Sequence, residues 1–159
     1  MSELVTVTKF FTVSSALAVI GALLAIAFLL VEDNGKLQSS ALKIRNRASI
    51  FATIWLAASI AHIIATLANI LDTSFIDALQ QNTLRSFLTQ VDLGQYLGVQ
   101  VVAIAILLLL IRTLKTSLAA MLALLLTIIA LTIPVFQSHS ASSGSHQLAV
   151  GSLSCMQKN

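Results

Sequence analysis

The stretch SIFATIWLAASIAHIIATLANIL, residues 49–71, decides the fold of this protein. It contains no Asp, Glu, Lys or Arg, and its apolar residues continue without the alternation that a half-exposed strand would show. An apolar run of about 20 residues is long enough to cross a hydrocarbon core of about 30 Å as an α-helix. The stretch therefore predicts a transmembrane helix.

The polar residues of this stretch share one face of the predicted helix. Five of them recur at intervals of 4, 3, 4 and 3 residues, which is helical spacing: Trp55, Ser59, His62, Thr66 and Asn69. Such groups normally face the interior of a bundle, because lipid offers them no hydrogen-bond partner. Two interpretations of His62 stay open. It is a metal-ligand or proton-relay position on a translocation route, or it is a buried histidine hydrogen-bonded to a hydroxyl of a neighbouring helix.

The composition of the whole chain also indicates a membrane protein. Of 159 residues 57% are hydrophobic and 9% are charged, whereas a soluble domain carries charge at roughly a quarter of its positions. The net charge of +3 is small and the basic residues are scattered, which argues against a nucleic-acid partner. The single cysteine, Cys155, excludes an intramolecular disulfide.

Four apolar runs predict four transmembrane helices, over residues 10–31, 49–71, 93–111 and 117–136. No small-residue cleavage site follows the first run, so we expect a retained helix rather than a signal peptide. The first and third connections carry most of the basic residues: Lys36, Lys43, Arg45, Arg47, Arg112 and Lys115. By the positive-inside rule these connections face the cytoplasm, and the N-terminus lies outside.

The predicted architecture is a single all-α domain over residues 1–159, a polytopic membrane bundle of four transmembrane helices. The outer connection contains an amphipathic segment, residues 74–91, which predicts a short interfacial helix. After the fourth helix, the outward segment 137–147 leads into the start of a fifth helix.

Two of the three histidines, His139 and His146, lie in this outward segment. The serines and the glycine between them make a flexible connection, so both imidazoles could turn toward one ion. If the segment were helical, they would lie on one face two turns apart, too far to share a metal without a third element. Two histidines are an incomplete ligand shell for copper or zinc, so further ligands would come from elsewhere.

The stretch TIPVFQSHSASSGSHQLAVGSL resembles a signature of the copper resistance protein D family of bacterial membrane proteins. In that family a helix exits into a segment of the type GHSA, followed by a small-residue linker, a histidine and a helix of the type LAVxSL. Here His139, Ser140 and Ala141 match the first part, and His146 with the following LAV matches the second. The preceding helices suit the family's N-terminal part, and over the rest of the chain the similarity is one of architecture.

The resemblance implies copper transport or tolerance at the bacterial cytoplasmic membrane, with copper ion as the bound species. It implies that His139 and His146 are the best copper-contact candidates and that His62 is the third. Besides the lipid bilayer, the partners it implies include a periplasmic or extracellular copper-binding protein.

The chain departs from the family pattern at two places. Ser138 stands where the family has glycine, and after Leu153 the chain reads SCMQKN where the family continues into a full helix. We therefore expect a truncated copy whose fifth helix is cut short. A second copy of the chain or a separate partner would then supply the missing helices.

Two other functions stay open at this point. A structural or cytochrome oxidase assembly protein would have no substrate of its own. A haem-binding electron-transfer bundle would need a second histidine at the depth of His62. An enzyme is not expected, because few carboxylates are available and the chain shows no nucleophile motif or Gly-rich phosphate loop.

Overall fold

The computed structural model describes residues 2–29, 32–33, 36–37 and 39–133. Helix α1 (Ser2–Leu24) continues into one π-helical turn, Ala25–Leu29. A short antiparallel pair follows, β1 (Glu32–Asp33) and β2 (Lys36–Leu37), in which Glu32 is opposite Leu37. The remaining elements are helices: α2 (Ser39–Leu71), α3 (Phe75–Ala78), α4 (Gln81–Gln90), α5 (Asp92–Thr113) and α6 (Ser117–Ile133).

Helices α1 and α2 form the antiparallel hairpin at the centre of the bundle. Both helices contribute small residues to the core, since Ala16 of α1 and Ala48 and Ala52 of α2 are fully buried. Without large side chains at these positions the two backbones can approach closely, which is how membrane helices commonly associate. The start of α1 therefore lies beside the end of α2.

Helix α2 ends in a defined capping turn. Asp72 adopts a positive φ of 49°, and the Thr73 N–H donates to the Ala68 carbonyl at 3.1 Å. This is the Schellman arrangement, in which a left-handed residue satisfies a carbonyl of the last helical turn. The chain then turns away from the α2 axis into α3.

One apolar core joins α1, α2, α5 and α6. Its buried members come from all four helices and include Val19, Leu23, Trp55, Ile104, Leu107 and Ala123. The opposite faces of the same helices expose large apolar side chains, such as Phe10 at 66%, Leu109 at 64% and Leu118 at 68%. An apolar surface of this extent is costly in water and suits lipid.

A second, smaller core lies where α3 and α4 pack on the end of α2 and the start of α5. It contains Ile63, Leu67, Ala78, Phe87 and Leu97. The predicted amphipathic segment 74–91 thus folds as two short helices rather than one, with the break at Leu79 and Gln80.

Three helices are long and apolar enough to cross a membrane: Glu3–Phe28, Ser40–Leu71 and Asp92–Thr113. Helix α6 is apolar but shorter over its described residues, Ser117–Ile133. The all-helical membrane class is confirmed, whereas the fourth span stays a prediction. The predicted fifth helix lies outside the described residues.

The helices extend beyond the predicted spans at their starts. Helix α1 begins at Ser2 and α2 at Ser39, so Lys43, Arg45 and Arg47 belong to the first turns of α2 rather than to a loop. The hydropathy of the sequence identifies only the part of a helix that is apolar enough for the hydrocarbon core of a membrane. Helical hydrogen bonding continues into the interface, where long basic side chains reach water.

Candidate metal site in a polar cavity

A cavity of about 300 Å³ lies at the end of the bundle where α1 starts and α2 ends. It is lined from four helices: by Lys9, Thr12 and Val13 of α1, His62 of α2, Leu97 and Gln100 of α5, and Leu131 of α6. Most of its wall is apolar, and the polar groups of His62 and Gln100 are brought together from helices distant in sequence. An apolar cavity with a few convergent polar groups is the usual form of a binding site.

His62 is held by a hydroxyl of α1. The Thr8 Oγ1 lies 3.1 Å from the His62 Nδ1. The same Thr8 oxygen lies 2.9 Å from the Leu4 carbonyl and 3.0 Å from the Val5 carbonyl, which can only accept. The Thr8 proton is thus directed at its own helix, and the Thr8 oxygen accepts a hydrogen bond from the Nδ1–H of His62.

This arrangement favours the neutral tautomer of His62 that carries its proton on Nδ1. With the proton on Nδ1, the ring lone pair is on Nε2. Fixing one ring nitrogen by an outer hydrogen bond is how proteins orient histidines that bind metal through the other nitrogen. The geometry therefore leaves Nε2 of His62 able to bind a cation.

Gln100 is the second polar group of the cavity. Its side chain is 4% exposed and lines the cavity, and it forms no hydrogen bond with the described part of the chain. A buried primary amide has two donors and an acceptor to satisfy, and leaving them unpaired costs free energy. Gln100 thus provides an amide oxygen and an amide nitrogen for a bound species.

Other polar groups of α1 are already satisfied by their own helix. The Thr12 hydroxyl donates to the Thr8 carbonyl at 2.9 Å, and the Ser15 hydroxyl donates to the Phe11 carbonyl at 2.6 Å. Hydroxyls bonded back to the preceding turn are common in membrane helices. These two hydroxyls therefore already donate within α1.

Lys9 lies on the exposed side of the cavity. Its flexible stem lines the wall, and a lysine at such a position can extend its ammonium group toward water. A positive charge here opposes a cation in the cavity, so Lys9 reduces rather than supplies affinity for a metal ion.

Unpaired polar atoms continue along the buried face of α2. The Nε1 of Trp55 and the hydroxyls of Ser59 and Thr66 are buried and have no hydrogen-bond partner among the described residues. They flank His62 on the same helix face, over about 16 Å of the axis at ~1.5 Å per residue. Buried polar atoms normally have hydrogen-bond partners. A row of unpaired polar atoms on one helix face therefore distinguishes this face from the rest of α2.

The predicted inward face of α2 is observed over most of its length. Trp55 and Ser59 are buried, and His62 and Thr66 are half-buried, but Asn69 is exposed. Asn69 lies in the last turn, where α2 turns Leu67 and Ala68 toward α3 and α4. At this end of α2, the buried side of the helix is therefore the one that faces α3 and α4.

The other two predicted metal ligands, His139 and His146, lie outside the described residues. Within the described ranges, no group of three or more His, Cys, Asp or Glu side chains is arranged to hold a metal ion. His62 is the one histidine that the described helices contribute. The three predicted ligands are therefore not shown together.

Thr8 and Gln100 are not among the site residues predicted from the sequence. Thr8, Thr12 and Ser15 recur at intervals of 4 and 3 residues, a signal for a polar face on α1. Gln100 is an isolated polar residue within an apolar run. Both patterns indicate inward-facing positions, but neither shows which helix these residues face.

The fold and the cavity define a class: a polytopic helical membrane protein with an ionisable side chain in a mostly apolar cavity between its helices. The chain belongs to the copper resistance protein D-like family, because its residues 1–148 match the N-terminal domain of that family. The resemblance carried by the stretch around His139 and His146 is thus confirmed. No curated protein and no solved structure matches this chain.

Proposed function

We propose that this protein binds copper ion in the cavity beside His62 and moves it across the bacterial cytoplasmic membrane as part of copper tolerance. The ion is its substrate, and the role is non-enzymatic. The family membership and the apolar helices support a membrane protein of copper resistance. The observation that supports the finer proposal most directly is the contact of Thr8 Oγ1 with Nδ1 of His62, which favours the tautomer with its lone pair on Nε2.

The donor set of the cavity suits copper better than a hard cation. Imidazole nitrogen binds copper in both common oxidation states, whereas Ca²⁺ and Mg²⁺ prefer several oxygen ligands. Lys9 repels any cation, so binding must rest on strong bonds to nitrogen rather than on general negative charge. One imidazole and one amide do not complete a copper shell, so the proposal needs further ligands.

We assign those further ligands to His139 and His146. Leu131 lines the cavity, and His139 follows it eight positions later in the sequence. A chain of eight residues can span at most about 29 Å. The length of chain after Leu131 therefore allows a histidine to return to the cavity, and the N-terminus and this segment would then lie on the outer side.

The unpaired atoms of Trp55, Ser59 and Thr66 support movement of the ion rather than binding alone. Trp55 and Ser59 extend the polar surface from His62 toward the middle of the bundle, and Thr66 lies on the other side of His62, toward the end of α2. A polar row inside an apolar bundle is characteristic of ion pathways in membrane proteins. We propose that a copper ion, or the water that accompanies it, uses this row.

Copper binding by the detergent-purified protein tests the proposal. We expect wild type to bind about one copper ion per chain, and His62→Ala to weaken binding more than about tenfold, since even outer partners of metal ligands are worth 10–100-fold. The His139→Ala, His146→Ala double variant should also lose binding. Asn69→Ala is the matched control, because Asn69 is on the same helix but exposed, and it should bind as wild type does.

Four outcomes would overturn parts of this proposal. Unchanged binding in His62→Ala would remove the cavity as the site. Loss of binding only in the double variant would place the site in the segment after the described residues. No binding by the wild-type protein would favour a structural or assembly role, in which the helices bind a partner protein. A Soret band in the purified protein would favour haem binding instead.

A further inference from the structure

A second polar pocket lies at the opposite end of the bundle from His62. It has a volume of about 310 Å³ and is lined by Arg45, Asn46, Ser49, Ile50 and Arg112. These residues come from the first turns of α2 and the last turn of α5. We call it the arginine pocket. Along α2, Arg45 and His62 are about 25 Å apart at ~1.5 Å per residue, so the two pockets are separate.

The two guanidinium groups are fixed by hydrogen bonds that leave donors unused. Arg45 donates from Nη1 to the Leu114 carbonyl at 3.2 Å and from Nη2 to the Asn46 Oδ1 at 3.4 Å. Arg112 donates from Nε to the Ser49 Oγ at 3.4 Å. A guanidinium group has five N–H donors, so both Nη groups of Arg112 can still donate.

Among the described side chains, none compensates the charge of the arginine pocket. No lining residue is acidic, and neither guanidinium forms an ion pair with a described side chain. Exposed Lys43, Arg47 and Lys115 lie near it in sequence and add positive charge to the same end of the bundle. Two arginines that share a pocket suit a phosphate group, because the guanidinium fork matches two phosphate oxygens.

The surroundings favour a phosphate attached to a lipid over free phosphate. Ile50 lines the pocket and is 60% exposed, and Ile54 and Leu109 continue the exposed apolar surface toward the middle of the helices. A phospholipid could place its headgroup between the arginines and its acyl chains along this surface. Free phosphate would gain nothing from the apolar part.

We propose that the arginine pocket binds the phosphate headgroup of an anionic phospholipid at the membrane interface. Basic pockets between transmembrane helices recognise such headgroups, and the cytoplasmic leaflet is the anionic one. Binding there would hold α2 and α5 together and fix the depth of the bundle. The inference does not depend on copper binding at His62.

Native mass spectrometry of the detergent-purified full chain tests this site. The probes are phosphatidylglycerol and phosphatidylcholine with the same acyl chains. We expect retained phosphatidylglycerol to exceed phosphatidylcholine, and Arg112→Gln to weaken its retention about tenfold or more, as expected for the loss of a hydrogen bond between charged groups. Arg47→Gln is the matched control, because Arg47 is exposed, carries the same charge and does not line the pocket.

The control variant and a competition experiment with inorganic phosphate distinguish a specific lipid site from the alternatives. Equal losses in Arg112→Gln and Arg47→Gln would show a general charge effect and overturn the site. No loss in Arg112→Gln would overturn it as well. If inorganic phosphate displaces the lipid at comparable concentration, free phosphate is the ligand and the lipid assignment fails. Thermal melting of each variant without lipid shows that it is folded before its binding is compared.

Discussion

Thr8 controls what His62 can do, although the two residues are 54 positions apart in the chain. A histidine has two ring nitrogens, and the partner of one decides which of them can bind a metal. Because the Thr8 proton is directed at the Leu4 and Val5 carbonyls, the Thr8 oxygen acts as the acceptor for Nδ1–H. One hydroxyl thus selects both the tautomer and the ring orientation.

Replacing Thr8 with valine tests this role of the hydroxyl. Thr8→Val keeps the shape of the side chain but removes the acceptor for Nδ1–H, so we expect copper affinity to fall about 10-fold or more. Thr53→Val is the control, because the Thr53 hydroxyl makes the same kind of bond to its own helix, to the Ser49 carbonyl, at an exposed position. Equilibrium copper titration of the purified variants measures the difference. Equal affinities in the two variants would contradict the role of Thr8.

Helices α4 and α5 meet at a contact that only glycine permits. A Cβ at Gly94 would lie 2.1 Å from the Phe87 carbonyl oxygen and 2.7 Å from its carbon, both backbone atoms. At Gly98 the nearest atom is the end of the Leu88 side chain, at 3.4 Å. The GxxxG spacing of these glycines therefore serves one tight contact, within the turn from α4 into α5.

Alanine substitution should have different effects on stability at the two glycines. Gly94→Ala forces the start of α5 away from α4, and overpacking of this kind costs about 1–3 kcal/mol of stability. Gly98→Ala makes an ordinary contact with a flexible side chain and should change stability little. Thermal unfolding in detergent, followed by circular dichroism, measures both. A lower Tm for Gly98→Ala than for Gly94→Ala would show that the contact at Phe87 is not limiting.

At the scale of the whole molecule, charge is distributed unequally between the two ends of the bundle. Basic residues gather where α2 starts and α5 ends, including Arg45, Arg112 and Lys115. The acidic residues Asp72 and Asp77 lie at the other end, beside α3. This asymmetry is the basis for placing the basic end in the cytoplasm.

Cysteine labelling in intact bacteria tests that orientation. In a Cys155→Ser background, Asp77→Cys and Lys115→Cys place single thiols at exposed positions on opposite ends. We expect a membrane-impermeant maleimide to label Asp77→Cys in intact cells and Lys115→Cys only after permeabilisation. The reverse pattern would invert the topology and move the His62 cavity to the cytoplasmic side.

The sequence alone determined the membrane class, the helical architecture, the family and the buried face that carries His62. These properties are local, because hydropathy and a 3.6-residue period report which face of a helix avoids water or lipid. The same signals located the amphipathic segment after α2. They could not show its break into two helices, which depends on how Ala78 and Phe87 pack against α2 and α5.

Only the tertiary structure decided which residues meet. It brought His62 and Gln100 to one cavity, with Thr8 in contact with His62, and Arg45 and Arg112 to another. Periodicity gives the polar face of each helix but not its rotation or its axial position against a neighbour. Those are set by the packing of small and large side chains across the interfaces. The physical reason is that a sequence pattern describes one helix, whereas a site is formed by side chains from several helices.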